Sequence, residues 1–329
     1  MKAVLFDEPG GAEGLYLGEH PTPTPGEDEL LVRVAATALN RADIMQRKGR
    51  YPPPPGASDI LGLELAGTVE AVGAACEGWE VGDRVFGLAP GGGYAEYAVL
   101  HHQMAMPIPE DLTFEEAAAV PEVFLTAFQA LYWLGGLDAE QHVLIHAGAS
   151  GVGTATIQLA KRAGAHAYVT ASAPKHRRCL ELGADLAINY KEEDFADAVM
   201  DVTTGRGVDI ILDFIGASYF KQNIKSLALD GHLVILSMLG GRTVESVDLG
   251  ALFRKRVHLI TTTLRNRSLA YKIALTQDFA KTYLSLFKDA HLIPVIDSVY
   301  DWTDVQAAHR HMEANKNVGK IVLRIAGEG

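Results

Sequence analysis

One stretch of the chain, from His142 to Gly164, constrains the fold more than any other. It reads as a short apolar strand, then a turn rich in glycine, then an amphipathic helix whose apolar residues recur at spacings of three and four. The turn contains Gly148, Gly151 and Gly153. A strand that runs through a tight glycine turn into a helix presents backbone N–H groups and the helix dipole to a pyrophosphate. The stretch therefore predicts a dinucleotide-binding unit.

The turn departs from the usual dinucleotide-binding motif at one position. The motif G-x-G-x-x-G would begin at Gly148, but Ser150 stands where its middle glycine is expected. A serine adds a hydroxyl donor where a glycine would offer only its backbone. We predict that Gly148, Ser150, Gly151, Val152 and Gly153 bind the cofactor. A plain glycine-rich connection between a strand and a helix is the alternative.

The second strand of this unit, residues 167–171, bears on which dinucleotide is bound. An NAD-binding unit carries an acidic residue near the end of this strand, where it binds the adenosine ribose. No Asp or Glu stands between Gly164 and Arg178, and Ser172 and Lys175 follow the strand instead. A hydroxyl donor and a cation suit a 2′-phosphate, which a carboxylate would repel. We therefore predict NADPH as the cofactor. A solvated basic helix face is the predicted role of Arg177 and Arg178, and it is the alternative for Ser172 and Lys175.

The periodicity of the chain changes along its length. Within residues 122–291, short apolar strands alternate with helical stretches, which predicts βαβ units and a parallel sheet covered on both faces. Residues 1–121 carry short strands broken by loops rich in Pro and Gly, as in an antiparallel β domain. The tail, residues 292–329, ends in one more strand and is too small to fold alone. We expect it to return to the first domain.

Composition limits the partners of the chain. A formal charge of −12 argues against binding to nucleic acid or to an anionic membrane surface. No apolar run approaches the ~18 residues of a membrane span, and the first residues do not resemble a signal peptide. The two cysteines, Cys76 and Cys179, cannot form a disulfide framework and fit a reducing compartment. We expect a cytoplasmic protein whose partner is a small molecule.

Several motifs make the chain similar to a known family. They are Ala38–Asp43, Gly49–Pro52, Leu61–Gly67, Val81–Phe86, Gly91–Glu96 and Ala118–Phe128. With the order of domains, they resemble the medium-chain dehydrogenase/reductase superfamily over essentially the whole chain, and within it the zeta-crystallin-like NADPH:quinone oxidoreductases. The run Met312–Leu323 is most similar to the tumour-suppressor-inducible quinone oxidoreductase branch. The resemblance implies an α/β fold: a Rossmann doubly wound parallel sheet plus a GroES-like antiparallel β domain.

The positions that bind the catalytic zinc in related enzymes hold other residues in this chain. Zinc-dependent members have a cysteine where Asn40 stands and a histidine where Leu63 stands ahead of Glu64. A catalytic zinc needs three protein ligands, usually thiolate, imidazole or carboxylate. The four closely spaced cysteines of the structural zinc lobe are absent from the sequence as well. We therefore expect no metal, and an acceptor that takes hydride without a Lewis acid, such as a quinone or another conjugated carbonyl.

The resemblance also implies roles for individual residues. Tyr51 is expected to stack over a flat acceptor and point its hydroxyl at a quinone oxygen, with loop packing as the alternative. Asn40 and Asp43 are expected beside the nicotinamide, with capping of a helix that begins at Arg41 as the alternative. The remaining expected cofactor contacts are Thr126, Tyr190, Ile215, Gly216, Met238, Leu239, Gly240, Leu264, Asn317 and Lys320.

The predicted function is an NADPH-dependent, zinc-free reductase that transfers hydride from the nicotinamide to a quinone. The alternatives are an enoyl or alkenal double-bond reductase on the same fold, and a non-catalytic NADPH-binding structural module. Glu64 is expected to serve as a structural hydrogen-bond partner, and His146 as a packed core histidine. The apolar strand His258–Thr262 would be an exposed edge in a monomer, so we expect a homodimer or homotetramer.

Overall fold

The computed structural model describes residues 1–325 and divides them into two compact units. Unit 1 consists of Met1–Leu125 together with the chain from Arg265 onward, and unit 2 is Thr126–Leu264. The chain re-enters unit 1 earlier than the predicted boundary at residue 291. The reason is that the helix following Arg265 packs in unit 1, where the rings of Phe279 and Phe124 lie 6.2 Å apart.

Strands and helices alternate in unit 2, whereas strands dominate the first part of unit 1. In chain order the strands are β1 (Lys2–Leu5), β2 (Tyr16–Glu19), β3 (Glu29–Ala38), β4 (Glu64–Val72), β5 (Arg84–Leu88), β6 (Tyr97–His101), β7 (Ala105–Pro107), β8 (His142–Ile145), β9 (His166–Ala171), β10 (Leu186–Asn189), β11 (Val208–Asp213), β12 (Leu227–Ile235), β13 (His258–Thr261), β14 (Ile296–Asp301) and β15 (Lys320–Arg324). The α-helices are α1 (Arg41–Arg47), α2 (Phe114–Ala118), α3 (Pro121–Phe128), α4 (Gly151–Arg162), α5 (Ala173–Glu181), α6 (Phe195–Val202), α7 (Phe220–Ser226), α8 (Leu249–Lys255), α9 (Leu269–Tyr283) and α10 (Val305–Glu313).

The part of unit 1 that the structure describes is built on a seven-stranded sheet of order β14-β15-β3-β4-β5-β7, with β6 also paired to β3. Its central strand β3 alternates along its first half, since Leu30, Val32 and Val34 are fully buried and the residues between them are more exposed. β15 pairs antiparallel with β3, so the tail joins this sheet as expected. The pairing places the first residue of β15 near the end of β3, where α1 begins.

Unit 2, within residues 126–264, holds a six-stranded parallel sheet of order β10-β9-β8-β11-β12-β13. The central strands read as unbroken apolar runs, and Val143, Leu144 and Ile145 of β8 are all fully buried. The strand order reverses between β8 and β11, and ligands of such sheets bind beyond the carboxyl ends of the strands at that point. The doubly wound sheet is therefore confirmed, and it places the glycine turn after β8 at the switch point.

One strand of unit 2 is longer than the sequence indicates. The apolar run predicts a strand over 233–236, but β12 begins at Leu227. The first half of β12 is not predicted, because it contains the dipeptide Asp230-Gly231, which usually forms a turn. In the structure Asp230 has a φ of 59°, and the register between β11 and β12 shifts beyond Val208.

β13 forms one edge of the parallel sheet in unit 2. Its pairing with a second copy of the chain stays a prediction. Cys76 and Cys179 are both free thiols. Within residues 1–325, no helix is both long and apolar enough to cross a bilayer.

Candidate active site

The polar centre of unit 1 is formed by three buried side chains, Lys320, Asn40 and Glu64, which we call the Lys320 cluster. The Nζ atom of Lys320 donates to the Leu39 carbonyl, to Asn40 Oδ1 and to Glu64 Oε1, each at 2.7 Å. Asn40 Nδ2 donates to the same Glu64 oxygen at 2.8 Å. Glu64 is fully buried, as expected of a structural hydrogen-bond partner, and Lys320 is only 3% exposed. All three protons of the ammonium group are therefore donated to the protein.

This donor set does not suit a zinc ion. Asn40 offers an amide, Leu63 offers a buried apolar side chain, and the charge of Glu64 is already balanced by an ammonium group. In the described part of the chain, no group of three or more His, Cys, Asp and Glu side chains is placed to hold a metal. Lys320 would have to release one of its bonds to contact the cofactor, so that role stays a prediction, and its burial rules out the alternative of a surface cation.

Asp43 has the capping role that was the alternative to a place beside the nicotinamide. It lies in the first turn of α1, where its Oδ2 accepts from the Asn40 backbone at 2.7 Å and its Oδ1 from the Gly62 backbone at 3.0 Å. Burial raises the pKa of Asp43 to about 6, and the two backbone donors oppose that rise. The side chain of Asn40 turns instead toward Glu64 and Lys320.

A chain of buried polar groups leads from Asp43 toward the surface of unit 1. The Tyr94 hydroxyl lies 3.4 Å from Asp43 Oδ2 and 3.3 Å from His309 Nε2. Arg47 Nη1 lies 3.2 Å from His309 Nδ1, and Arg47 also pairs with Glu313 at 2.8 Å. Burial, followed by the charge of Arg47, lowers the pKa of His309 to about 3, so this histidine is neutral. This network could not be predicted from the sequence, because its members are far apart in the chain.

Tyr51 lies beside a second group of charges in unit 1. The guanidinium carbon of Arg265 is 5.5 Å from the centre of the Tyr51 ring. Burial raises the pKa of the Tyr51 hydroxyl, which is therefore protonated and able to donate at neutral pH. Nearby, the Glu122 backbone N–H donates to Glu64 Oε2 at 2.8 Å. Burial, followed by the charge of Glu64, raises the pKa of the Glu122 carboxyl to about 7.

In unit 2 the glycine turn is packed so closely that two of its positions exclude a side chain. A Cβ on Gly153 would lie 2.5 Å from the Ala147 carbonyl oxygen, and one on Gly148 would lie 2.5 Å from Cβ of Val169. Ser150 caps α4, because its Oγ accepts from the Gly153 backbone at 3.1 Å. Its hydroxyl proton remains able to donate. Gly151 and Val152 form the first turn of α4. This arrangement fits a pyrophosphate at the helix N-terminus.

The predicted 2′-phosphate residues lie at the start of α5. Ser172 is the N-cap residue that precedes the helix, and its side chain makes no capping hydrogen bond. Lys175 is in the first turn, where its backbone N–H donates to the Ser172 carbonyl at 2.9 Å. Arg177 and Arg178 pair with Glu181 on the helix surface, which confirms the solvated interpretation for these two arginines. The Ser172 hydroxyl is thus not used to cap α5.

Six predicted cofactor residues lie in loops that follow β10, β11 and β12 at the carboxyl edge of the sheet. They are Tyr190, Ile215, Gly216, Met238, Leu239 and Gly240. The loops after β11 and β12 are tied together, because the Gly240 backbone donates to the Ile215 carbonyl at 2.7 Å. Met238 and Leu239 are about half exposed, at 47% and 60%. Leu264, after β13, is buried.

Thr126 and Asn317, two further predicted cofactor contacts, differ in whether their polar side-chain atoms have a hydrogen-bond partner. Thr126 of α3 is only 8% exposed, and its Oγ1 atom is buried without a hydrogen-bond partner in the described residues. Buried hydroxyls are almost always paired, so this atom fits a group that a ligand supplies. The amide of Asn317, in unit 1, donates to the Gly319 carbonyl at 2.8 Å and so stabilises the turn before β15.

His146 is a packed core histidine, as predicted. It is fully buried, with Nδ1 at 3.0 Å from Thr170 Oγ1 and Nε2 at 2.7 Å from Asn223 Oδ1. Burial lowers its pKa to about 4. Two further hydrogen bonds, which could not be predicted from the sequence, extend from Asn223. Asn223 Nδ2 donates to Asp213 at 3.0 Å, and Asp213 accepts from the Ile215 backbone at 2.7 Å. The histidine thus supports one of the loops described above.

Fold and site together define a class of protein. A doubly wound sheet with a glycine turn at its switch point, in one chain with an antiparallel β unit, is typical of a medium-chain dehydrogenase/reductase. Two family models match the chain: the alcohol dehydrogenase GroES-like domain over residues 26–110 and the zinc-binding dehydrogenase over residues 151–286. These matches confirm the two predicted domain types.

Known proteins resemble the chain over nearly its whole length. The human synaptic vesicle membrane protein VAT-1 homolog is 33% identical, over 98% of this chain and 86% of that protein. Mycobacterial Rv1454c, solved as a complex with NADPH, has a TM-score of 0.87 at 32% identity, covering 99% of this chain and 100% of that one. A Pseudomonas syringae quinone oxidoreductase has a TM-score of 0.87 at 30% identity, covering 98% and 99%. The CurK enoyl reductase has a TM-score of 0.88 at 28% identity, covering 99% of each chain.

The chain belongs to the medium-chain dehydrogenase/reductase family, and within it to the zinc-free, quinone oxidoreductase-like members. It is an oxidoreductase of that family.

Proposed function

We propose that the chain is an NADPH-dependent reductase of conjugated carbonyl compounds, with quinones as its main acceptors. The observation that carries this proposal is the Lys320 cluster, in which an ammonium group balances Glu64 where zinc-dependent relatives hold a metal. A bound metal polarises a carbonyl toward hydride, and a conjugated acceptor such as a quinone needs that help less than a saturated ketone does. The similarity to a Pseudomonas syringae quinone oxidoreductase supports the same acceptor class.

The residues of unit 2 fit NADPH. The backbone of the glycine turn and the first turn of α4 would bind the pyrophosphate, as expected for Gly148, Ser150 and Gly153. The Ser172 hydroxyl, which does not cap α5, would bind the 2′-phosphate together with Lys175. The Thr126 hydroxyl, which has no partner in the described residues, would bind the nicotinamide amide. When bound, NADPH supplies the two electrons of the reduction. The complex of mycobacterial Rv1454c with NADPH supports this choice of cofactor.

The residues of unit 1 would handle the acceptor. The protonated hydroxyl of Tyr51 can donate to an acceptor oxygen, and its ring can pack against a flat molecule. The bonds of Asn40 and Lys320 to Glu64 keep this polar centre rigid and free of unpaired charge. An enoyl or alkenal reductase remains the second candidate, because the CurK enoyl reductase has the same fold at 28% identity.

The first test compares acceptors. Oxidation of NADPH is followed by absorbance with an ortho-quinone and with an alkenal, each with a metal chelator present and with NADH in parallel. We expect turnover of the quinone that persists in the chelator and exceeds turnover of the alkenal. Turnover of the alkenal alone would identify an enoyl-type reductase. Binding of NADPH without turnover of either acceptor would identify a non-catalytic module.

Replacing Ser172 by glutamate is expected to weaken NADPH binding at least about tenfold, because a carboxylate would face the 2′-phosphate. Binding of NADH should change much less, since NADH carries a ribose hydroxyl that a carboxylate can accept from. Both dissociation constants are measured by quenching of protein fluorescence. The matched control is Arg177→Gln on the same helix, where Arg177 pairs with Glu181 at the surface. Equal weakening of both cofactors by Ser172→Glu would contradict the phosphate site.

A further inference from the structure

The side chain of Arg265 is fixed along one edge of its guanidinium group. Arg265 is only 6% exposed and lies where the chain re-enters unit 1. Its Nε and Nη2 atoms both donate to the carbonyl oxygen of Pro90, at 3.1 and 2.9 Å. A guanidinium group held at two nitrogens by one acceptor has a defined plane and direction. The third nitrogen, Nη1, therefore points in a direction that the protein sets.

Nη1 of Arg265 is buried and has no hydrogen-bond partner among residues 1–325. A buried donor left without an acceptor is costly, and more so when it carries charge. Native structures leave few such groups, and those that occur call for an explanation by a ligand, a water or a function. In the orientation set by Pro90, Nη1 meets no acceptor among the residues that the structure describes. An acceptor from outside the chain is the simplest partner.

The surroundings of Arg265 favour an electron-rich, flat partner. The ring of Tyr51 lies 5.5 Å from the guanidinium carbon. The charge of Lys272 adds to that of Arg265, and each side chain is near enough to affect the other. Arg265 forms no ion pair with Glu122 or with any other carboxylate in the described residues. Burial raises the pKa of Glu122 to about 7, so a large fraction of this carboxyl is uncharged at neutral pH. Asp43 and Glu122 both act on the charge of Arg265 from a distance, but neither forms an ion pair with it.

We propose that Arg265 donates a hydrogen bond from Nη1 to the carbonyl oxygen of the acceptor. This bond favours acceptors that place an oxygen within reach of Nη1. The inference deepens the proposed function and rests on it. In that reaction quinone, NADPH and one proton give hydroquinone and NADP⁺, and Arg265 gives up no proton. Negative charge grows on the acceptor oxygen as electrons arrive. A fixed cationic donor stabilises that charged oxygen more than the neutral carbonyl.

The test uses the 4-nitrophenolate ion, a flat conjugated oxyanion whose absorbance reports its binding. It is titrated into the protein with NADP⁺ present, so that no turnover occurs. We expect Arg265→Gln to raise the dissociation constant of the phenolate about tenfold. Arg265→Lys should raise it similarly, because lysine cannot bond Pro90 at two positions and a ligand at once. The matched control is Arg267→Gln, since Arg267 also stacks on a tyrosine, Tyr271, at 4.6 Å.

The dissociation constant of NADPH is measured for the same variants, and circular dichroism checks that they are folded. Arg267→Gln should change neither constant by more than about twofold. An unchanged phenolate constant in both Arg265 variants would overturn the inference, as would a wild-type protein that does not bind the phenolate. Loss of NADPH binding without loss of phenolate binding would also overturn it, by assigning Arg265 to the cofactor. Phenolate binding that depends on Arg265 in a protein without quinone turnover would retain the contact and reject the proposed function.

Discussion

Replacing Lys320 by methionine is expected to lower the free energy of unfolding by about 3–5 kcal/mol, because Glu64 would become a buried charge without a partner. Lys320 Nζ and Glu64 Oε1 lie 2.7 Å apart, and the exposed fractions of the two side chains, without their backbone atoms, are 4% and 0%. Methionine keeps much of the volume of the lysine, so the loss reports the charge rather than a cavity. Denaturant titration of the variant and the parent protein measures the difference.

An exposed ion pair of the same type is the control for Lys320. Lys161 and Asp185 lie 2.9 Å apart with side-chain exposures of 32% and 36%. Lys161→Met should therefore cost no more than about 1 kcal/mol. Adding Glu64→Gln to Lys320→Met should recover part of the loss, since it removes the unpaired charge. A cost for Lys320→Met as small as that of the control would mean that the pair does not stabilise unit 1.

Replacing His146 by glutamine is expected to remove an acid sensitivity of about 3 kcal/mol from the stability of the protein. Burial lowers the pKa of His146 from 6.5 to about 4. Between those two pH values the unfolded chain binds the proton and the folded protein does not. The stability contribution of the neutral histidine is thus fully present above pH 6.5 and is lost as the pH falls toward 4. Glutamine does not titrate and keeps a donor and an acceptor for Thr170 and Asn223.

The measurement is the free energy of unfolding of both proteins at pH 7 and at pH 4.5. Two buried carboxyls, Asp43 and Glu122, act in the opposite direction, because burial raises their pKa values to about 6 and about 7. Their protonated forms stabilise the fold at low pH, and that stability is lost as the pH rises through those values. The comparison between variant and parent cancels these terms. A loss of stability between pH 7 and pH 4.5 that is as large in His146→Gln as in the parent protein would contradict the prediction.

The local features of unit 2 could be predicted from the sequence, because they depend on residues close together in the chain. The glycine turn, the start of α4 at Gly151 and the surface position of Arg177 follow from spacing and chemistry over a few residues. The same local signals failed at β12, where Asp230 and the glycine after it look like a turn but lie inside a strand.

The interactions that define unit 1 could not be predicted in this way. Lys320 bonds Glu64 across 256 positions of sequence, and Tyr94 meets His309 across 215. No short motif reports such partners, and a lysine in a tail looks the same whether it faces a phosphate or a carboxylate. The family resemblance singled out Asn40 and Lys320 as site residues and Glu64 as a structural hydrogen-bond partner, each on its own. Only the packing of β15 on β3 showed that they bind one another.

The position of Lys320 near the end of the described chain also limits when its ion pair with Glu64 can form during synthesis. Unit 2 is one continuous stretch that leaves the ribosome complete, whereas unit 1 is split by it. The carboxylate of Glu64 is synthesised 256 residues before its ammonium partner. At about 5–20 residues per second, that interval is roughly 13–50 s. During synthesis Glu64 therefore has no ammonium partner until β15 has been made and can pair with β3.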